Sequence, residues 1–477
     1  MTHTLPTYNP LRSAYWRSVT DVAPLATFRV LFGLVACYGA LRFVGEGWVE
    51  TLLVEPGFFF DYYGFAWLPR PGRAAAYGLY GVIALSSLAV ALGYRYRVAA
   101  PLFVLTFGYA QLLDATNYLN HYYLAGLLGA LLCFVPAHGS CSLDVLSGRV
   151  APRRTVPAWC VHAVLAQLAL VYVFAGAAKL NSDWLTRAMP LAIWLPEHAD
   201  VPVVGGLLAH PAAAYAASWL GAAYDLSIVG WLLWRPTRKL AYVAVVAFHV
   251  ATGLLFNIGL FPLIMIAGTL TFFPAGAHRR WWARLTPNRP RAAALGVFGF
   301  GESPTTELEE RLLRPPLPTR TPGPGGVAWA TRLGLAAWFA LQAILPLRAL
   351  AYPGASAWTE EGYRYGWRVM LVEKAGAAEF RVVDGATGRA AVVDPLAYLT
   401  PYQAKQMAIQ PDFVLQLAHH VAADFAARHG FVAPSVYAEV HVSLNGRRSQ
   451  RLVDPAVDLA RVRDGLAPKT WILPHHE

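Results

Sequence analysis

Apolar and polar positions separate into long blocks along most of this chain. Runs of about twenty residues, enough to span hydrocarbon, fall near 22–44, 74–94, 98–114, 119–137 and 157–180. Four more lie near 211–234, 239–257, 258–275 and 327–347. Only FNIGLFP divides the pair at 239–275, which fits two spans or a broken re-entrant hairpin. The pattern predicts nine spans, to within one. Beyond residue 350 the blocks give way to shorter periods. WRVMLVEKAG, EFRVVDGATG and AAVVDP read as short strands divided by Gly-containing turns. PDFVLQLAHHVAADFAARHG reads as an amphipathic helix closed by Gly430. VYAEVHVSLNGRRSQRLVDP alternates strictly and turns at Asn445-Gly446. The fold expected is therefore a polytopic α-helical membrane protein with a C-terminal strand-rich α+β domain. Its divisions are a helical core of about eight spans over 1–299, a Pro/Gly-rich linker over 300–326, a last transmembrane helix over 327–349 and an outer domain over 350–477.

Composition agrees with a membrane chain. Of 477 residues, 56% are hydrophobic and 14% charged, against about 25% charged in soluble domains. The 16 tryptophans suit interfacial anchors. A net charge of +11 does not mark a nucleic-acid surface, because the cations sit in short loops between apolar runs. Arg12, Arg17, Arg95, Arg97, Arg149, Arg153 and Arg154, then Arg235, Arg238, Lys239 and the arginines between 279 and 291, fall on one set of alternate loops. The other set holds Arg70, Arg73, Lys179 and Arg187. The positive-inside rule then places the amino terminus in the cytoplasm and everything after 347 outside. The first twenty residues lack an apolar signal region, so the first span is expected to direct insertion. Cys37, Cys133, Cys141 and Cys160 match no zinc spacing and read as small buried hydrophobes; a disulfide-stapled outer domain is excluded.

Ionisable groups at membrane depth are costly and need an explanation. Arg29, Arg42, Asp225 and His249 qualify, as do Asn117, Asn120 and His121 at the start of the fourth span. Pairing inside the bundle, such as an Arg29–Asp225 ion pair, accounts for the buried charges. His121 and Lys179 differ, since the topology puts both at the outer ends of their spans, with Asn257 on the same side. Lys179 reads either as a snorkelling helix end or as an amine whose burial disfavours its charged form and equips it as a general base. His121 alone reads as a hydrogen-bonding core residue or as part of the same site.

These segments resemble a known family. AGAAKLNSDW, NYLNHYYL, FHVATGLLFNIGLFP and PGFFFDYYGFAWLPRPG are similar to the membrane core of the vitamin K-dependent gamma-glutamyl carboxylases. WTEEGYRYGWRVML, VYAEVHVSLNGRRSQRLVDPAVDL and the closing WILP resemble that family's extracytoplasmic strand domain, in the same order along nearly the whole chain. The resemblance implies that Lys179 deprotonates reduced vitamin K, a naphthohydroquinone. Its anion reacts with O2 to give a strong base that takes a proton from the gamma carbon of a peptide glutamate. The carbanion captures CO2, and the products are gamma-carboxyglutamate and the 2,3-epoxide. No metal is implied. His121 and Asn120 match residues near the quinone, expected to orient or support the quinol oxygen, and His249 and Asn257 are further candidates. Tyr365, Trp367, Arg368 and Met370, from YGWRVM, match the region contacting quinone and glutamate. The expected partners are the lipid bilayer, a lipidic quinol arriving sideways and a Glu-containing peptide or protein arriving from outside.

The chain departs from the family where Ala178 precedes Lys179 in place of a second lysine, where cysteines are lacking in the outer domain, and where it closes at WILPHHE. These differences suggest a bacterial-type member in the inner or plasma membrane. Two other readings stay open. One is a quinol epoxidase or oxygenase without carboxylase activity. The other is a non-enzymatic membrane binding or transport protein, which paired broken helices would favour; one such break, Asn257 to Pro262, is found without a partner.

Overall fold

The computed structural model describes residues 15–285 and 326–476. The predicted linker falls almost wholly outside the described residues. A short ribbon pairs β1 (Val19–Asp21) with β2 (Thr155–Pro157). The helices of the first half are α1 (Ala23–Gly45), α2 (Arg73–Leu92), α3 (Tyr96–Leu112), α4 (Asn120–Phe134), a turn α5 (Leu143–Leu146) and α6 (Ala158–Ala178). Short helices α7 (Ser182–Thr186), α8 (Leu191–Trp194) and α9 (Gly205–Leu208) lead to α10 (Pro211–Leu233), α11 (Arg238–Leu255), α12 (Phe261–Thr269) and α13 (Ala275–Leu285). A last apolar helix, α14 (Gly326–Leu347), precedes the carboxy-terminal region.

A helix lies in each of the nine predicted ranges. Six of the described helices are long and apolar enough to cross a membrane on their own: α1, α2, α6, α10, α11 and the stretch 329–351, which holds most of α14. The others are shorter, with 17 residues in α3, 15 in α4 and 9 in α12. FNIGLFP breaks the chain between α11 and α12, and α12 and the turn after it meet α13 at a bend of 117°.

Small residues set how closely the helices approach. A Cβ on Gly33 of α1 would lie 2.5 Å from the Ala91 backbone nitrogen of α2, and one on Gly176 of α6 would lie 2.9 Å from Leu226 of α10. Their absence lets each pair of backbones close. Arg29 is fully buried, and its guanidinium donates to the carbonyls of Val90 (2.9 Å) and Cys141 (2.5 Å). This corrects the expected Arg29–Asp225 pair: carbonyls at a helix end and in a loop hold the arginine, and Asp225 is engaged elsewhere. All four cysteines are free, with Cys160 buried.

The carboxy-terminal region carries a short helix α15 (Ser356–Thr359), strands β3 (Lys374–Val383) and β4 (Ala390–Val393), helices α16 (Pro401–Ala408) and α17 (Pro411–Arg428), and strands β5 (Ser435–Leu444) and β6 (Gln450–Arg451). The antiparallel sheet runs β4-β3-β5-β6. Alternate residues of β5 are buried, so Val436, Ala438, Val440 and Val442 join Phe413, Leu417 and Val421 of α17 in one core. Asn445 and Gly446 both have positive φ, 49° and 72°, as the predicted Asn-Gly turn requires. One expected strand is corrected. In WRVMLVEKAG only Lys374 onward joins the sheet, while Tyr365, Trp367 and Met370 hold left-handed backbone at φ 62°, 55° and 59°. This segment is a strap that leaves the sheet and enters the helical bundle, where Trp367 joins the core. Helix α16 was not expected, although Thr400 and Gln403 form its capping box.

Candidate active site

Lys179 caps the carboxyl end of α6 and is buried, at 5% exposure; it does not snorkel. Its Nζ donates to Asp225 Oδ2 at 2.8 Å and to the Ala175 carbonyl at 3.4 Å. Nζ also lies over the Trp184 ring, 5.2 Å from its centroid. The Trp184 indole is itself fixed by donating to the Ser218 carbonyl at 2.7 Å. Gly176 makes this possible, since the close approach of α6 and α10 brings Asp225 within reach.

The pair faces a cavity of about 400 Å³, within the range of small-molecule sites. Its walls are mainly apolar and aromatic, with Phe248, Phe256, Phe261, Tyr172 and Tyr224. His249 also lines it, with Nδ1 2.9 Å from the Val245 carbonyl. Val369 and Met370 of the strap close the side nearest the outer domain. Leu220 of α10 and Ala251 of α11 both line the cavity and are exposed, which opens it sideways between these helices. An apolar, aromatic-walled space with one amine and one carboxylate suits a flat, weakly acidic, lipid-soluble ring.

The structure divides the predicted residues into three places. Lys179, His249 and Met370 share this cavity. His121 and Asn257 lie in a second space of about 290 Å³ with Arg42, Trp48 and Gly259. FNIGLFP is the wall between the two: Phe256, Ile258 and Phe261 face the lysine, and Asn257, Gly259 and Leu260 face His121. Asn120 and Tyr365 line neither space. Tyr365 N–H donates to the Tyr118 hydroxyl at 2.8 Å, which donates to Asn120 Oδ1 at 3.1 Å. Trp367 stacks on Tyr123 at 5.0 Å. Among the described residues, the Trp367 indole N–H and the Arg368 Nε are buried without hydrogen-bond partners. Asn120, Tyr365 and Trp367 therefore hold the strap against the start of α4, and only Met370 of the strap's predicted residues reaches the cavity.

The strap is anchored from outside. Arg364 pairs with Asp412 at the start of α17 at 2.5 Å and also donates to Gln410. Opposing charge outweighs burial there, so the Arg364 guanidinium is raised above and the Asp412 carboxyl held below its ordinary value. A second contact reaches the lysine loop. Asp183 accepts from Arg447 at 2.6 and 2.8 Å and from Asn445 at 2.8 Å. Sequence reading missed Asp225 as the lysine's partner and Arg447 as a docking residue. An aspartate in an apolar span signalled the first, whereas nothing local signals the second. Among the described residues no group of His, Cys, Asp or Glu could hold a metal.

The HTTM domain family matches residues 17–276, more than half of the chain. The family described as vitamin K-dependent gamma-carboxylase, lumenal domain, matches residues 329–477. No solved structure matches the chain.

Proposed function

Because the chain belongs to the vitamin K-dependent gamma-carboxylase family, we propose that it is an integral-membrane enzyme coupling quinol oxidation by O2 to carboxylation of protein glutamate. The observation that carries this reading is a buried amine at the edge of an apolar cavity that opens sideways at one end and meets the outer domain at the other. Reduced vitamin K supplies the reducing equivalents and, with O2, the strong base that glutamate carboxylation needs.

The chain's own groups divide the remaining work. Lys179 takes a proton from the substrate hydroxyl. The aromatic walls hold the ring and exclude water, which strengthens the electrostatics at the amine. His249 presents a ring nitrogen to the same space. His121, behind the FNIGLFP wall, and Asn257, on the wall's face toward it, are assigned to support of substrate oxygens, and Asn120, Tyr365, Trp367 and Arg368 to positioning of the strap. We place the amino terminus in the cytoplasm and the domain from 350 onward outside a bacterial plasma membrane, after the charge asymmetry of the loops. The core then spans 1–299 and 327–349 nine times, and the peptide approaches from the outer domain.

The test is epoxide formation by purified protein in nanodiscs with reduced vitamin K and O2, with and without a Glu-containing peptide and labelled bicarbonate. Epoxide that disappears in Lys179→Ala, with label in the peptide, supports the full reaction. Epoxide without label reduces the reading to a quinol epoxidase. No epoxide from any of several quinols overturns it in favour of a binding or transport protein.

A further inference from the structure

An ammonium held by a carboxylate has no lone pair with which to act as a base. Yet Lys179 and Asp225, 46 residues apart, meet at 2.8 Å in an apolar space, both 5% exposed. Among the described residues, Lys179 Nζ is the one hydrogen-bond partner of the Asp225 carboxylate. The same space presents Tyr172, Tyr224 and His249, and Nζ also lies over the Trp184 ring, 5.2 Å from its centroid. Separated charges are disfavoured in such surroundings unless tightly paired.

We propose that Asp225 is the proton partner of Lys179, so that the base of the site is a lysine–aspartate couple. One proton passes from Nζ to Oδ2: an N–H bond breaks, an O–H bond forms, and ammonium plus carboxylate become amine plus carboxylic acid with no change in net charge. The freed lone pair takes the proton of the substrate hydroxyl, leaving a substrate oxyanion opposite the new ammonium. Asp225 acts through Lys179 and is a positioning residue. This inference rests on the reading of Lys179 as the base.

The test uses the full chain in detergent without substrate. Dicyclohexylcarbodiimide, an apolar reagent that attacks protonated carboxyl groups, labels Asp225 in the wild-type protein, read by mass spectrometry of the peptide. In Asp225→Asn, a small amine-reactive ester modifies Lys179 about tenfold faster at neutral pH, because the group that stabilised the ammonium is gone. Asp225→Glu keeps the wild-type rate. Steady-state quinol oxidation moves the opposite way, falling about tenfold in Asp225→Asn, the scale of one lost proton-transfer group. A purely structural ion pair would keep Asp225 ionised, and the carbodiimide would not label it. Absence of carbodiimide label on wild-type Asp225, or unchanged Lys179 reactivity in folded Asp225→Asn, overturns the couple. Carbodiimide and ester results as expected, in a wild-type protein that oxidises no quinol, support the couple and overturn the quinol reading.

Discussion

Asp183 and Arg447 form a two-pronged ion pair, with both guanidinium Nη atoms on the two carboxylate oxygens at 2.8 and 2.6 Å. Asp183 follows Lys179 by four residues, and Arg447 ends the Asn-Gly turn of the outer domain. The pair therefore ties the sheet to the loop that follows Lys179. Arg447→Ala leaves Asp183 with Arg187 at 3.2 Å and Asn445. The loss is expected to destabilise docking by about 2 kcal/mol, the scale of hydrogen bonds to charged groups. Thermal melts should show the outer domain loosening first, and quinol oxidation should fall with it. A melt and a rate equal to wild type would show that the tie is dispensable.

The same pair sets a pH window. Burial pushes the Asp183 carboxyl up, but hydrogen bonds from Arg447 and Asn445 and the charges of Arg447 and Arg187 outweigh it and hold the carboxyl at about 2. A carboxylate depressed below its unfolded value near 3.9 stabilises the docked form at every pH above that value. The contribution fades as pH falls from about 4 toward about 2. Docking followed by energy transfer between a dye on the outer domain and one on the core should be flat from neutrality to about pH 4 and weaken below it. In Asp183→Asn the difference from wild type should be constant above that point and close beneath it.

Gly176 is the place where packing and chemistry meet. A Cβ there would lie 2.9 Å from Leu226 Cδ2 and 3.0 Å from the Leu226 backbone nitrogen. Alanine adds helix preference of about 1 kcal/mol, while overpacking against a backbone atom costs about 1–3 kcal/mol. Gly176→Ala is therefore expected near neutral in stability, and Gly176→Val destabilised. Both move α10 outward and lengthen the Lys179–Asp225 contact, so activity should fall more than stability does. Activity that tracks the melting temperature across both variants would contradict this.

How much of this was legible in the sequence follows the physics of each feature. The apolar runs, the alternation of β5 and the turn at Asn445-Gly446 are local patterns, and the structure follows them. The partner of Asp225 depends on which helices pack. A window of twenty residues holds no record of Gly176 meeting Leu226, so charge type alone suggested Arg29. The sequence of the strap reads as a strand because Tyr, Trp and Val favour extended backbone. Anchoring by Arg364 and Tyr118 overrides that preference and holds three residues left-handed. His121 and Lys179 were expected at one depth and face. FNIGLFP separates them into two spaces, with Phe256, Ile258 and Phe261 on the lysine side and Asn257, Gly259 and Leu260 on the histidine side.

That wall can be tested at Gly259, which has φ +58° and no room for a side chain, since a Cβ would meet His121 Nε2 at 2.8 Å. Gly259→Ala should cost about 1–2 kcal/mol for left-handed backbone and displace the His121 ring. If the activity loss runs through His121, the double variant with His121→Ala is no worse than His121→Ala alone. Additive losses in that cycle would mean that Gly259 serves the wall and not the histidine.

If the substrate is the quinol of the proposed function, the exposure of Leu220 and Ala251 beside the cavity predicts a dependence on the length of the quinol's tail. Leu220 lines the cavity and is 69% exposed at its mouth on α10, so a larger side chain there narrows the entrance without touching Lys179 or Asp225. Leu220→Trp should raise KM for a long-tailed quinol about tenfold, the scale of discrimination in an apolar pocket. The value for a short, tail-free naphthoquinol and the kcat for both should stay close to wild type. An exposed leucine facing lipid contributes little to folding, so stability should hardly change. If KM rises equally for both quinols, the mouth between α10 and α11 is part of the ring site. If it rises for neither, the quinol enters elsewhere, and the strap side at Met370 becomes the entrance to probe by the same substitution.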